Sequence, residues 1–314
     1  MMENSNTQLG LMMSGNTLLF VEATTGQPQR LLTADVMHLG IPFDVQAFGD
    51  PDIAVHFSNS INQLLDRFAI SAKTVSVCLD RRLVLLKRLR VDQDLRETDI
   101  RQQIEWELEQ VLVAPRDEYH ANYEKFRHER DHYDHIVVAV VRKAVIAFLQ
   151  DIIKATPLKL QQVDVDLLAM IRGLSALKLE FQALSALIEI EPTYTSVTLL
   201  KNQCFLSQGE IRYAAAQLTD SNSEQIATLI NDEILRQLDT LGDEVLLKNV
   251  EQLFLINSNI PSGIIYGLQR LQRNALVQVV DPLERLEHSL SLEAEQLIKD
   301  NPNRILPLLG LLRS

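Results

Sequence analysis

One tryptophan and two cysteines in 314 residues leave this chain little for oxidative or aromatic chemistry. Cys78 and Cys204 are far apart and each lies in an apolar run, so both are read as free core thiols of a reducing cytosol. Positive charge is scarce too: 30 Lys and Arg against 42 Asp and Glu give a formal charge of −12. Such a surface repels a phosphate backbone and an anionic lipid layer alike, so nucleic acid is not an expected partner. No apolar run approaches the roughly 20 residues of a membrane-crossing helix. No Lys or Arg precedes Arg30, so the basic segment of a secretion signal is missing and a cytoplasmic location is expected.

What is present is ordinary globular material, 46% hydrophobic, long enough for two lobes. Residues 8–22 read as two strands joined at Ser14-Gly15-Asn16. Extended chain is expected at 45–48 and around His56, then a short helix over 59–68 with Ile61, Leu64, Leu65 and Phe68 inward. Runs 74–79 and 83–91, separated by Asp80-Arg81-Arg82, read as a second hairpin. Ile100, Ile104, Leu108, Val111 and Leu112 recur at helical spacing, and Pro115 ends that helix near Val113. Strands at 119–126 and 136–141 read as a third hairpin, and a helix over 143–155 follows. The block 73–155 is thus an expected β-β-α-β-β-α unit.

A helix is expected over 163–179 after a short strand. Residues 183–200 repeat the shape of the first hairpin, with a turn at 191–195. Ser221 and Glu224 have capping-box spacing ahead of a helix that Gly242 terminates. A strand at 253–256, a helix at 263–274, a strand at 275–280 and an apolar end at 306–312 complete the reading.

Glu107, Glu109, Gln110, Pro115, Asp117, Glu118 and Tyr123 make an E-x-E-Q…P-x-D-E…Y pattern running from helix to strand, which resembles the signature of the PilM family of type IV pilus assembly proteins, relatives of FtsA with an actin-like fold. Val163-Asp164-Val165-Asp166 with Ala169 is similar to its crossing from first to second lobe. Residues 306–313 resemble its G-L-x-x-R ending, one residue shorter between Leu311 and Arg313. The resemblance implies a mixed α/β, two-lobe actin-like fold. Lobe 1 would cover 1–182, with a core of 1–72 and 156–182 and an inserted subdomain at 73–155; lobe 2 would cover 183–314.

Actin-like ATPases hold magnesium and phosphates between two D-x-G hairpins, whose turns present N–H groups while aspartates orient the metal. In this chain Met12 stands at the first aspartate and Ser14 at the glycine. Glu189-Ile190-Glu191-Pro192 occupies the second hairpin: Glu191 sets a negative charge beside the phosphates, and Pro192 has no N–H to donate. The adenosine-binding glycine pair is replaced by 255–259, Leu-Ile-Asn-Ser-Asn, with Asn257 and Ser258 at the altered positions. A pseudo-ATPase with no cofactor is expected. In the alternative, a working ATPase, Glu189 would hold magnesium and Ser14, Gly15, Asn16, Thr193 and Thr195 would contact ATP.

The resemblance also implies a partner: in the family, the cytoplasmic amino-terminal tail of the membrane protein PilN lies between the first lobe's core and its inserted subdomain. The expected function is a non-enzymatic scaffold at the inner face of the cytoplasmic membrane, reached through that partner. A cytoplasmic module of a type II secretion system is a further alternative.

Trp106 points away from the aliphatic stripe of its helix; it either packs under the strand at 119–126 with no partner involved or, with Arg88 and Arg90, is a candidate partner contact. Arg81, Arg82, Lys87, Arg88 and Arg90 form a basic edge that is either a solvated strand edge or a docking surface for an acidic or lipid-proximal partner. His120, His128, His132 and His135 admit a zinc reading beside that of a solvated turn. Asp164 and Asp166 admit acid–base roles beside those of a strand end or helix cap.

Overall fold

The computed structural model describes residues 7–25, 29–127, 133–182, 184–214, 218–242, 249–257 and 260–313. They form two compact units: Met1–Ala176 with Leu286–Leu297 and Arg304–Ser314, and Leu177–Arg285 with Ile298–Asn303.

In the first unit β1 (Thr7–Thr24) is an extended run that doubles back, as expected of a hairpin. Gly15 turns it with φ 53°, and the Thr7 hydroxyl donates to the Glu22 carboxylate at 2.9 Å across the two limbs. The first limb pairs in parallel with β3 (Thr74–Leu79), and the second antiparallel with β2 (Arg30–Phe43). The short β13 (Glu287–His288) closes one edge beside β2, and β7 (Lys159–Val165) forms the other beside β3.

Helices α1 (Pro51–Arg67) and α3 (Lys143–Lys154) bury Phe57, Ile61, Leu64, Phe148, Leu149 and Ile152 against this sheet. Each large side chain fully buried there contributes roughly 1.5–3 kcal/mol. The extended chain expected at 45–48 and His56 is instead a turn and the first half of α1. Asp50 explains the difference: its carboxylate accepts from the Asp52 and Ile53 N–H groups at 2.9 and 3.3 Å, and Pro51 is pre-set for the first helical turn.

The hairpin expected between 74–79 and 83–91 does not form. Asp80 caps a single tight turn at Arg81–Leu83, and the chain leaves the core sheet there. Strand β4 (Val84–Asp92) pairs antiparallel with β6 (Tyr133–Arg142), which pairs in turn with β5 (Tyr119–Phe126), in the order β4-β6-β5. Helix α2 (Glu97–Glu109) lays Ile100, Ile104 and Leu108 on one face of this sheet, against Leu89, Val91, Ile136, Val138 and Val140. The elements of 73–155 occur in the expected order, but β3 and α3 build the core, so the inserted body is β4-α2-β5-β6 alone.

Helix α4 (Asp166–Ala176) follows β7 directly, Asp166 standing at its start and accepting from the Leu167 and Arg81 N–H groups. That is the cap-like role among the two sequence readings of Asp166. Helix α8 (Pro302–Leu311) packs on α4 through two glycines, with Gly310 against the Ala169 carbonyl and Gly173 against that of Leu306. Residues 286–297 and 304–314 group with the first unit, whereas the sequence reading assigned everything after 183 to the second. The cause is long-range: β13 pairs with β2, and α8 meets α4 backbone to backbone.

In the second unit β8 (Leu184–Ile190), β9 (Tyr194–Lys201), β10 (Cys204–Arg212), β11 (Gln252–Ile256) and β12 (Leu276–Val279) stand in the order β10-β9-β8-β11-β12. Helices α5 (Ser223–Leu241) and α6 (Ser262–Leu271) cover it with Ile226, Ile230, Ile234, Ile264 and Leu268. The expected capping box of Ser221 and Glu224 is not made: the Ser221 hydroxyl lies 2.9 Å from that of Thr219, and Glu224 pairs with Arg270. Gly242, with φ 54°, ends α5 as expected. Cys78 and Cys204 are both buried and form no disulfide, and burial pushes the Cys78 thiol well above its usual range.

Candidate functional site

The β1 turn carries Met12, Ser14, Gly15 and Asn16. Met12 is buried opposite Cys78, and its thioether cannot act as the metal-orienting oxygen of a D-x-G turn. The Ser14 hydroxyl donates to Asp80 at 2.7 Å, and the Arg82 N–H and Nε both donate to the same carboxylate at 2.9 Å. Arg82 also reaches the Ser14 hydroxyl at 3.2 Å, and Arg304 reaches that of Thr17 at 3.4 Å. The sequence reading missed Asp80 and Arg82 as neighbours of this turn. Their signal was an aspartate just past the end of a strand parallel to β1.

Burial works to raise the Asp80 carboxyl, but the Arg82 and Ser14 hydrogen bonds outweigh it and hold the group below its ordinary value. A depressed carboxyl contributes stability above its unfolded value and loses it as pH falls through the folded one. Asp80→Asn is therefore expected to lower Tm at neutral pH and to flatten the loss of stability on acidification. Thermal melts across the acid range check this; an unchanged acid limb would contradict it.

In the second unit Glu189 is buried on β8 opposite Ser196. The Glu191 N–H donates to the Tyr194 carbonyl at 2.8 Å, and its own carbonyl accepts from the Tyr213 hydroxyl at 2.7 Å. Asn303 donates to the Glu191 carboxylate, and the Asn257 amide to the Ile190 carbonyl. The Thr195 hydroxyl lies 2.9 Å from that of Tyr213, while Thr193 is exposed. This turn is therefore closed by its own protein contacts. Ser258 lies outside the described residues, as do His128 and His132.

A larger feature lies within the first unit. Strands β5 and β7 are each an edge of their sheet, and both line one groove of about 750 Å³. The face of β6 turned away from α2 supplies Val137, Ala139 and Val141; Ile146, Val163, Val165 and Leu168 add to the apolar lining. The run 136–141 is thus apolar on both sides for two reasons: one face is covered by α2 and the other looks into the groove. Sheet edges carry backbone N–H and C=O groups without a strand partner.

The polar end of the groove is Asp164 with Arg172, an ion pair joined by Gln162, whose amide reaches Asp164 at 3.3 Å. Burial raises the Asp164 carboxyl, with Arg172 working against it. The buried Arg172 Nε has no hydrogen-bond partner. Asp164 therefore belongs to the wall of the groove, at the end of β7.

None of the three expected partner contacts lines this groove. Arg88 and Arg90 line a separate recess of about 410 Å³ along β4, with Lys87, Gln103 and Glu107. Trp106, 60% exposed, stands on α2 between Gln103 and Glu107. Of the histidines, His120 lines the groove and the buried His135 lies 3.2 Å from an Arg88 nitrogen. Among the described residues, no three His, Cys, Asp or Glu side chains come together as metal ligands.

No curated protein matches the sequence. Among solved structures, the PilM-PilN type IV pilus biogenesis complex matches with a TM-score of 0.72 at 17% identity, covering 98% of this chain and 97% of that one. The cytoplasmic domain of EpsL, an inner-membrane component of the Vibrio cholerae type II secretion system, matches at 0.51 and 11% identity, covering 98% and 96%. A Bacteroides thetaiotaomicron protein with an actin-like ATPase fold and unknown function matches at 0.50 and 10%, with the same coverage. These likenesses agree with the mixed α/β, actin-like fold expected from the motifs. The type IV pilus assembly protein PilM family model matches residues 20–244, well over half of the chain, and the chain therefore belongs to that family.

Proposed function

We propose that this protein is a scaffold of a type IV pilus assembly complex that holds the cytoplasmic tail of a PilN-like membrane protein in the groove between β5 and β7. One observation carries the reading: two open strand edges face a shared apolar groove of about 750 Å³. An extended peptide added there would complete either edge with backbone hydrogen bonds, and the apolar lining would select its side chains. Among the described residues no helix is long and apolar enough to cross a membrane, so membrane association would come through the partner. Calorimetric titration with the tail peptide of a PilN-like partner tests the reading. Saturable binding that slows amide exchange in β5 or β7 is expected; no binding would reject it.

In this reading the protein does not hydrolyse ATP. The two turns fit magnesium triphosphate poorly: Met12 supplies no metal-orienting oxygen, Pro192 no N–H, and Glu191 a negative charge. Titration with ATP and magnesium to millimolar nucleotide is expected to give no saturable heat and no rise in Tm. Saturable binding would move the ATP-gated reading to first place.

A further inference from the structure

We propose that the recess between α1 and α3 receives a cationic, apolar segment of the membrane partner, the stretch between the tail held in the β5–β7 groove and the membrane; the inference rests on that scaffold reading. Short side chains keep the two helices from closing over this recess: Ala54 on α1 and Ala144 and Ala147 on α3 line it, with Val55 and Phe148. Its volume is about 350 Å³, room for a bulky apolar side chain. The Ser58 hydroxyl in its wall is spent on the Ala54 and Ile152 carbonyls, at 2.8 and 2.9 Å. The wall therefore asks for apolar contact, and Val55, 54% exposed, is left in water without it.

Charge and position name the occupant. The charged residues that line the recess are Asp50 and Asp151, both exposed, and no Lys or Arg lines it among the described residues. Cytoplasmic segments within about 15–20 residues of a membrane span carry an excess of Lys and Arg. Such side chains lay an apolar stem on a nonpolar wall while the head meets a carboxylate. Helix α3 also joins the recess to the groove: Ile146 and Gln150 line the groove, and the next residues, Ala147 and Asp151, line the recess. A helix is about 10–12 Å wide, and an extended chain advances about 3.3 Å per residue. A partner chain leaving the groove thus reaches the recess within a few residues.

Other occupants fit less well. A second copy docked through the same recess would bring the Asp50 and Asp151 carboxylates of both copies together, and like charges across an interface oppose association. Anionic lipid head groups would meet the same two carboxylates, on a chain of net charge −12.

The test compares two peptides on the full-length protein by calorimetry: the tail of a PilN-like partner alone, and the same tail extended by about ten residues that alternate lysine and leucine, enough to cross α3 and fill the recess. The extended peptide is expected to bind about tenfold more tightly, with a gain that shrinks as salt is added. An extension of alternating glutamate and leucine should gain nothing. Asp50→Asn with Asp151→Asn removes both charges and keeps a capping side chain on α1; it should erase most of the gain while the short tail binds as before. Ala147→Trp, which fills the recess, should do the same. A short tail that fails to bind would reject the scaffold reading and this inference with it. A short tail that binds normally, with an extension that adds nothing or a gain indifferent to both variants, would overturn the recess alone. So would an equal gain from the glutamate extension, or self-association or capture of phosphatidylglycerol vesicles that Ala147→Trp abolishes.

Discussion

Gly310→Ala is expected to destabilise the first unit by about 3 kcal/mol or more, toward the upper range for overpacking. A Cβ at Gly310 would stand 1.8 Å from the Ala169 carbonyl oxygen and 2.6 Å from the Gly173 nitrogen. Both are backbone atoms of α4, so no rotamer change can clear them, and α8 must lift away as a whole. That separation would also strip partners from Leu306, Leu308 and Leu309, which are buried. For a unit of this size Tm should fall by roughly 2–4 °C per kcal/mol. Gly40→Ala is the contrasting variant, since its Cβ meets nothing within 4 Å and only the left-handed φ of 58° resists it. Equal melting curves for Gly310→Ala and the parent would show that the two helices do not meet as described.

Filling the β5–β7 groove is expected to abolish tail capture while leaving the fold intact. Ala139 sits at the centre of β6, paired with Leu86 on one side and Asn122 on the other, and its small side chain looks into the groove. Ala139→Tyr adds a ring where a bound peptide would lie and removes no buried atom. A loss of about a hundredfold in affinity for a PilN-like tail peptide, near 2.7 kcal/mol, is the expected result. Tm should stay within a degree or two of the parent, because surface-facing changes away from packed features cost little. Undiminished binding by a variant that melts normally would move the tail elsewhere.

Local chemistry made much of this fold readable. The Ser14-Gly15 turn, the β8–β9 hairpin, helix α3 and the β5–β6 pair each announced themselves by turn residues or by period. Helix α1 was half missed because Ile53, Val55 and Phe57 look strand-like, while the decisive signal was the capping pair Asp50-Pro51. Strands β3 and β4 were wrongly joined because neighbouring runs usually pair. Only the tight turn at Asp80 reveals that the chain changes sheets.

Contacts between distant residues were not readable at all. That β13 and α8 return to the first unit depends on partners more than a hundred residues away, which no local pattern encodes. The site shows the same limit. The turn positions Ser14, Gly15, Glu189 and Glu191 came from the resemblance to actin-like ATPases, which gave no hint of the Asp80–Arg82 network beside Ser14. Arg88, Arg90 and Trp106 were picked out as partner contacts, but composition cannot say which edge of a sheet a residue will border. The groove's own marker was the unbroken apolar run at 136–141: a strand apolar on both faces needs two covers, and α2 is only one of them.

That run has a further consequence, for the chain before it has folded. Ile-Val-Val-Ala-Val-Val carries no charge, no proline and no glycine, the composition of a segment that stacks into cross-β assemblies when exposed. In the finished molecule it is the central strand, flanked on both sides, and Lys87, Arg88, Arg90 and Lys125 stand on the flanking strands. Charges beside an unavoidable hydrophobic strand act as gatekeepers against aggregation. Strand β4 is made before β6 during synthesis and β5 just ahead of it, so both shields exist by the time the hazardous segment emerges. Circular permutation that delivers β6 first would leave it bare, and insoluble product would be the outcome.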